Sequence, residues 1–334
     1  LKNIRFIKGA DVSFYDEIEQ NGGRFYVCSH EKDLFKILKE YGVNTLRFRI
    51  WNDPDVGYCS PERTLVMVKR AVESGFEVGL DFHYSDWWAD PGKQYKPKKW
   101  ANLHGESLGE AVYDFTRSTL LSFKSEGIAP VFVQIGNEVT RGMLWEDGKV
   151  PSRNEPDNPD AWSRFSYLLS CGIRAVRDVF ENDTKVMIHI DRGGDNPGAI
   201  FFLEHIMSHG VEFDWIGLSY YPWWHGPICN FRDNVMDLSS RYGRPILLAE
   251  TAYPWREVTL EQDGIKLHGT AKEQRDFLEE VFSIIKDLPC GLGLGVLYWE
   301  PDAIPLTQTT NGWSAFAMFD EQGRALCSME IFDI

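Results

Sequence analysis

Residues 130–139 read PVFVQIGNEV. A β-rich apolar run opens after a proline and stops at Gly136, a length that suits a buried strand and is too short for a helix. Asn137 and Glu138 follow where such a strand would end. A polar pair in that place belongs to the mouth of a sheet or barrel, not to its core. The same form recurs on both sides of this stretch. Strands are expected at 4–13 (IRFIKGADVS), 45–51 (TLRFRIW), 77–86 (EVGLDFHYSD), 185–191 (KVMIHID), 213–221 (FDWIGLSYY), 245–253 (PILLAETAY) and 292–301 (LGLGVLYWEP). Amphipathic segments separate them, with helices expected at 31–41, 62–74, 107–126, 160–181, 197–209, 230–242 and 271–287. Glycine follows several of these, as in Tyr41-Gly42, Ser74-Gly75 and Tyr242-Gly243, where it can take the left-handed conformation that stops a helix. Eight strands alternating with helices are the footprint of an α/β fold of the (β/α)8 TIM-barrel type. No linker or fixed repeat interrupts it, so residues 1–334 are expected to form one catalytic domain. The polar segment 146–160 is expected to be a loop after the fourth strand.

Composition narrows the function. A net charge of −15 argues against nucleic acid as a partner and suits a neutral substrate. No run of about 18 apolar residues is present, so no membrane span is expected. Six cysteines are scattered without a CxxC pair, which disfavours a zinc site and leaves disulfides open. Twelve Trp and 13 Tyr include a cluster at 87–100 in a polar, Gly/Pro-containing stretch. Such rings either pack a core or present flat faces to sugars.

In a (β/α)8 barrel the chemistry sits at the C-terminal ends of the strands and the loops after them. That rule selects Asp11, Arg47, Arg49, His83, Asp86, Asn137, Glu138, Asp191, Tyr220, Tyr221, Glu250, Trp299 and Glu300. Glu138 closes the fourth strand and Glu250 the seventh, on opposite sides of the ring. Two facing carboxyls are what glycosidic cleavage requires, one to protonate the departing oxygen and one to attack the anomeric carbon. Separation by roughly 5–5.5 Å gives retention of configuration. The competing reading places each glutamate in a buried ion pair with Arg47 or Arg49.

Taken together, GADVS (9–13), TLRFRIWNDP (45–54), LDFHYSDWWADPGKQ (80–94), QIGNEVTRGMLW (134–145), LSYYPWWHG (218–226), LLAETAYPW (247–255) and LYWEP (297–301) resemble the arabinogalactan endo-β-1,4-galactanases of glycoside hydrolase family 53. The resemblance implies a retaining, endo-acting enzyme on galactan, with Glu138 as general acid/base and Glu250 as nucleophile. It implies that Asn137 meets the sugar 2-hydroxyl and that His83 lines the same subsite. Arg47 or Arg49 would hold Glu250 ionised, and Tyr221, rather than Tyr220, would donate to it. Trp299 would be the platform at the cleavage point and Trp88 a neighbour along the cleft, with Asp11 and Asp86 among the substrate-binding residues. Trp223 and Trp224 are further candidates for lining a curved cleft. Some relatives hold calcium in long final loops. Here the run WEPDAIPLTQTTNGWSAFAMFD is short and lacks the dense oxygen pattern such a site needs, so no metal and no cofactor are expected. The remaining expectations are a monomer located outside the cell or at its surface. A β-1,4-mannanase of the same clan and a catalytically silent sugar-binding barrel are the alternatives.

Overall fold

The computed structural model describes residues 5–260, 263–306 and 312–333. Eight strands form a closed barrel: β1 (Ile7–Asp11), β2 (Thr45–Ile50), β3 (Glu77–Phe82), β4 (Phe132–Ile135), β5 (Lys185–Ile190), β6 (Trp215–Tyr220), β7 (Ile246–Thr251) and β8 (Gly293–Trp299). Each pairs in parallel with its sequence neighbours, and β1 closes the ring against β8, from Ile7 opposite Gly295 to Asp11 opposite Trp299. Besides two short helices, Tyr15–Gln20 and Pro222–His225, the helices between them are α1 (Leu34–Glu40), α2 (Pro61–Glu73), α3 (Gly105–Ser125), α4 (Pro159–Phe180), α5 (Asn196–Ser208), α6 (Ile228–Tyr242) and α7 (Ala271–Lys286).

Alternation along the strands builds two cores. One set of side chains packs outward against the helices, as do Leu46, Phe48, Leu80, Val133 and Ile188. The other fills the floor of the barrel with Ile7, Phe132, Met187, Trp215, Leu247 and Leu297. Glycine makes room for this floor. A Cβ on Gly79 would lie 2.1 Å from the Phe132 ring. Above the apolar floor the inward positions turn polar: Arg47, Asp81, Gln134, His189 and Ser219 are all buried. That layer carries the site.

Helix starts follow sequence chemistry. Asp33, Ser60, Asn158, Asp195 and Thr270 each accept a hydrogen bond from a backbone N–H of the first turn, satisfying donors the helix itself leaves unpaired. Gly243 ends α6 at φ 58°, as expected of a glycine in that place.

The strands are shorter than the sequence reading at the barrel mouth. The stretch 130–139 is strand only over Phe132–Ile135, because Gly136 (φ 78°) and Glu138 (φ 46°) turn the chain out of the ladder. Residue 4 of the first expected strand lies outside the described residues. Three two-stranded hairpins were not anticipated: Phe25–Val27 with His30–Lys32, Gly142–Met143 with Gly148–Lys149, and Val258–Leu260 with Ile265–Leu267. The second of these places a short strand inside the segment read as a loop, and α4 begins before that segment ends. Segments of two or three residues are too short to show a period. Of the short run after β8, residues 307–311 lie outside the described residues.

Candidate active site

A cavity of about 650 Å³ opens at the C-terminal end of the barrel. Of the residues singled out from sequence, Glu138, Glu250, Arg49, His83, Trp88, Asn137, Asp191, Tyr221, Trp224 and Trp299 line it. Asp11 and Arg47 do not. They lie beneath it, each about 1% exposed. Asp86 is elsewhere, bordering a separate depression beside Asn52, Asp53 and Trp100. Its carboxylate accepts from the backbone N–H groups of Asp53 (3.0 Å) and Lys98 (2.8 Å), so it ties two loops together and does not face the cleft.

Glu250 reaches the cavity through a fault in the ladder. Leu247 and Ala249 point into the barrel floor and Leu248 points outward. Strict alternation would therefore send Glu250 outward. The register with β6 slips at this point, Leu218 pairing with Leu248 but Ser219 with Glu250. A bulge of this kind re-aims a side chain, and here it turns Glu250 inward. Both terminal nitrogens of Arg47 then donate to its Oε1 at 2.9 Å, and the Tyr221 hydroxyl donates to Oε2 at 3.1 Å. Tyr220 faces the other way, bonded to the Gly226 carbonyl and stacked on Phe231.

Arg47 is the hub below the cleft. It also donates to Asp81 Oδ2 (2.6 Å), Asn137 Oδ1 (3.1 Å) and the Ala249 carbonyl (3.0 Å), and its Nε lies 3.5 Å from Asp11. Arg49 has a different duty. Its guanidinium sits over the Trp88 ring at 3.9 Å and pairs with Glu300 at 3.4 Å. Of the two arginines that could steady Glu250, the geometry selects Arg47.

Glu138 occupies a contrasting environment. Its backbone is left-handed, a conformation that costs a non-glycine residue of order 1–3 kcal/mol. Among the described residues no cation pairs with its carboxyl, and its hydrogen-bond partner is the Ser219 hydroxyl, 2.6 Å from Oε1. Burial pushes its pKa well above the usual carboxylate range, and the charges of Glu250 and Asp191 push it further. Burial also raises Glu250, to about 7, but Arg47 pulls against that rise. The pair titrates together, and the asymmetry of partners leaves the last proton on Glu138.

Supporting residues fix the rest. His83 Nε2 lies 3.0 Å from Asp81, and its Nδ1 accepts from the Ala89 N–H. Burial lowers the pKa of His83. For Asp81 burial acts upward, yet Arg47 and His83 outweigh it and hold the carboxyl low. The Asn137 amide donates to the Ala89 carbonyl at 2.9 Å. Trp299 packs edge-on against Trp88 and Trp313. Trp224 is 46% exposed at the cavity rim and donates from its indole N–H to Asp263 at 2.8 Å. Its neighbour Trp223 packs instead on Phe316.

The sequence reading missed Asp81, Gln134, His189, Ser219 and Trp313. All but the last stand two residues apart from selected inward-facing positions or from the barrel floor: Asp81 before His83, His189 before Asp191, Ser219 before Tyr221, Gln134 after Phe132. Period-two counting from the strand ends would have found them. Trp313 lies beyond the last strand, where no period applies.

The protein-family model for Glycosyl hydrolase family 53 matches residues 7–332. An uncharacterized protein from the bgaB 5′ region of Niallia circulans is 46% identical, covering 98% of this chain and 93% of that protein. An endo-beta-1,4-galactanase of Bacillus subtilis (strain 168) is 34% identical, over 92% of this chain and 72% of that one. Among solved structures, the Ignisphaera aggregans GH53 catalytic domain superposes with a TM-score of 0.88 at 37% identity, covering 98% and 96% of the two chains.

Proposed function

The chain belongs to glycoside hydrolase family 53, and on that premise we propose that it cleaves β-1,4-galactan internally with retention of configuration, Glu138 serving as general acid/base and Glu250 as nucleophile. The observation that carries the proposal is the unlike setting of two glutamates in one open cleft, one held by a guanidinium and one by a hydroxyl among carboxylates.

Glu138 gives its proton to the glycosidic oxygen as that bond breaks, while Glu250 forms an ester to the anomeric carbon. Glu138, now ionised, then takes a proton from water, whose oxygen displaces Glu250. Arg47 and Tyr221 stabilise Glu250 each time it is a free carboxylate. Asn137 spends one amide hydrogen on Ala89 and keeps the other for the sugar 2-hydroxyl. Trp299 and Trp88 supply the floor for the ring, with Arg49 backing Trp88. The cleft residues come from one chain, so a monomer suffices. Its polymer substrate places the enzyme outside the cell or at its surface. Among the described residues no helix is long and apolar enough to cross a membrane.

The test supplies galactan, galactomannan, carboxymethylcellulose and xylan in parallel and follows reducing ends and viscosity. Rapid viscosity loss on galactan alone is the expected result. Preference for mannan or glucan would refute the substrate assignment. Proton NMR of the first product should show the β-anomer, and an inverted product would remove Glu250 from its role.

A further inference from the structure

Below the cleft, one hydroxyl proton faces two acceptors. The Ser219 oxygen lies 2.6 Å from Glu138 Oε1 and 2.8 Å from His189 Nε2. Which way its hydrogen points depends on the histidine. His189 Nδ1 is 2.9 Å from Asn137 Oδ1. That oxygen can only accept, so Nδ1 carries the hydrogen. The Asn137 orientation is itself fixed, since Oδ1 receives Arg47 and Nδ2 donates to the Ala89 carbonyl. Gln134 Nε2 also approaches Nδ1, at 3.1 Å, but one of its two hydrogens goes to Asp81 at 2.6 Å and the other has the Gly136 carbonyl and Asn137 Oδ1 at 3.1 Å. Burial and the charge of Arg47 keep the imidazole neutral, Asp81 opposing them. A neutral ring protonated at Nδ1 has a bare lone pair at Nε2.

We propose that Ser219 and His189 form a relay that holds the proton on Glu138 until the leaving group takes it. The proposal deepens the assignment of Glu138 as general acid/base and rests on that reading. With Glu138 protonated, its O–H donates to the Ser219 oxygen and the Ser219 O–H donates to His189 Nε2. The Glu138 hydroxyl, the Ser219 hydroxyl and His189 Nε2 then each have a partner. With Glu138 ionised, the single serine hydrogen can serve Glu138 or His189, and one lone pair is left facing another. A buried acceptor left without a donor is costly, so the relay favours the acid form. For the transfer the Glu138 O–H turns from Ser219 to the glycosidic oxygen and gives up its proton there. The Ser219 hydroxyl then rotates to the new carboxylate, and it swings back when water returns a proton. Both residues act through Glu138 and are positioning residues. The other groups facing Glu138 are Glu250 from β7, Asp191 from the end of β5 and Asp90 from the loop after β3. All three raise its affinity for a proton and none is altered by changing Ser219.

The experiment turns on a sign. Ser219→Ala, Ser219→Thr and the unaltered enzyme are prepared with 13C-labelled glutamate carboxyls, and the Glu138 resonance is assigned by its loss in Glu138→Gln. Ser219→Ala should lower the titration midpoint of Glu138 by about one pH unit, the size of one net hydrogen bond, and Ser219→Thr should restore it. The alkaline limb of kcat/KM on galactan should move down by the same amount. An upward or absent shift of the midpoint overturns the relay, because a serine that merely donates to the carboxylate would raise the midpoint when removed. If the midpoint falls while the alkaline limb stays in place, the relay stands and the role of Glu138 as general acid fails.

Discussion

Arg47 grips Glu250 with both terminal nitrogens on one oxygen, while the other oxygen of Glu250 takes the Tyr221 hydroxyl. The cation is buried and its terminal nitrogens also donate to Asp81, Asn137 and the Ala249 carbonyl. Arg47→Lys keeps the charge but not the fork, so it loses at least one bond to Glu250. The pull that Arg47 exerts against burial weakens, and the pKa of Glu250 rises. The proposed nucleophile reacts as the ionised carboxylate, so the acidic limb of the kcat/KM profile moves to higher pH. Loss of roughly 10²–10³-fold in kcat is expected, the scale of removing one preorganised donor. An unchanged acidic limb would separate Arg47 from the ionisation of Glu250.

The barrel was legible because its signal is repetitive: eight apolar runs of strand length, with glycine-stopped helices between them. The rule that chemistry lies at strand C-terminal ends then reduced fifty acidic residues to a few. What sequence could not supply was the side to which a residue turns. Glu250 faces the cleft through a register slip that alternation forbids. Asp86 follows β3 as closely as His83 does, yet backbone amides of Asp53 and Lys98 turn its carboxylate aside. Choosing between Arg47 and Arg49 had to wait for their partners, since both sit on the same face of β2. Ser219 and His189 look like ordinary strand residues until their hydrogen bonds are traced.

Gly79→Ala tests the packing of the floor. The added methyl would lie 2.1 Å from one ring atom of Phe132 and 2.3 Å from another. Phe132 is wholly buried and packs on Trp215, which limits its retreat. Overpacking of this kind costs typically 1–3 kcal/mol. For a protein of this size the melting temperature should fall by several degrees, as read by calorimetry. A melting temperature equal to that of the unaltered protein would show that the floor yields.

Asp302 follows β8 and is wholly buried, and among the described residues neither carboxylate oxygen finds a hydrogen-bond partner on another residue. Burial pushes its pKa up to about 8; its own backbone amide and Arg49 pull the other way, and Asp11 adds to the rise. Between pH about 4 and 8 the folded protein therefore keeps a proton that the unfolded chain releases. Stability attributable to this group is greatest below the unfolded value and is lost as pH rises through the folded one. Asp302→Asn removes that titration. Its melting temperature relative to the unaltered protein should climb between pH 5 and 8, by at least ~2–4 °C, the equivalent of ~1 kcal/mol. A difference that stays constant across this range would mean that Asp302 is ionised in the fold throughout.

The two glutamates should fail in different ways. Glu138→Ala removes the proposed proton donor, and general acid catalysis contributes about 10²–10⁴-fold. Galactan hydrolysis should fall by that factor. An aryl β-galactobioside with a good leaving group needs little protonation, so formation of the glycosyl-enzyme from it should be nearly untouched, with the intermediate accumulating because no base activates water. Adding azide, which needs no base, should restore turnover and give a β-galactosyl azide. Glu250→Ala removes the proposed nucleophile, and no leaving group compensates for that. It should be inactive on polymer and aryl substrate alike, and azide should yield only the α-azide if it yields any product. The contrast follows from position: Glu138 lies beside Ser219 and Asp191, whereas Glu250 is steadied as an anion by Arg47. If the azide products exchanged anomers between the two variants, the roles of the two carboxyls would be reversed.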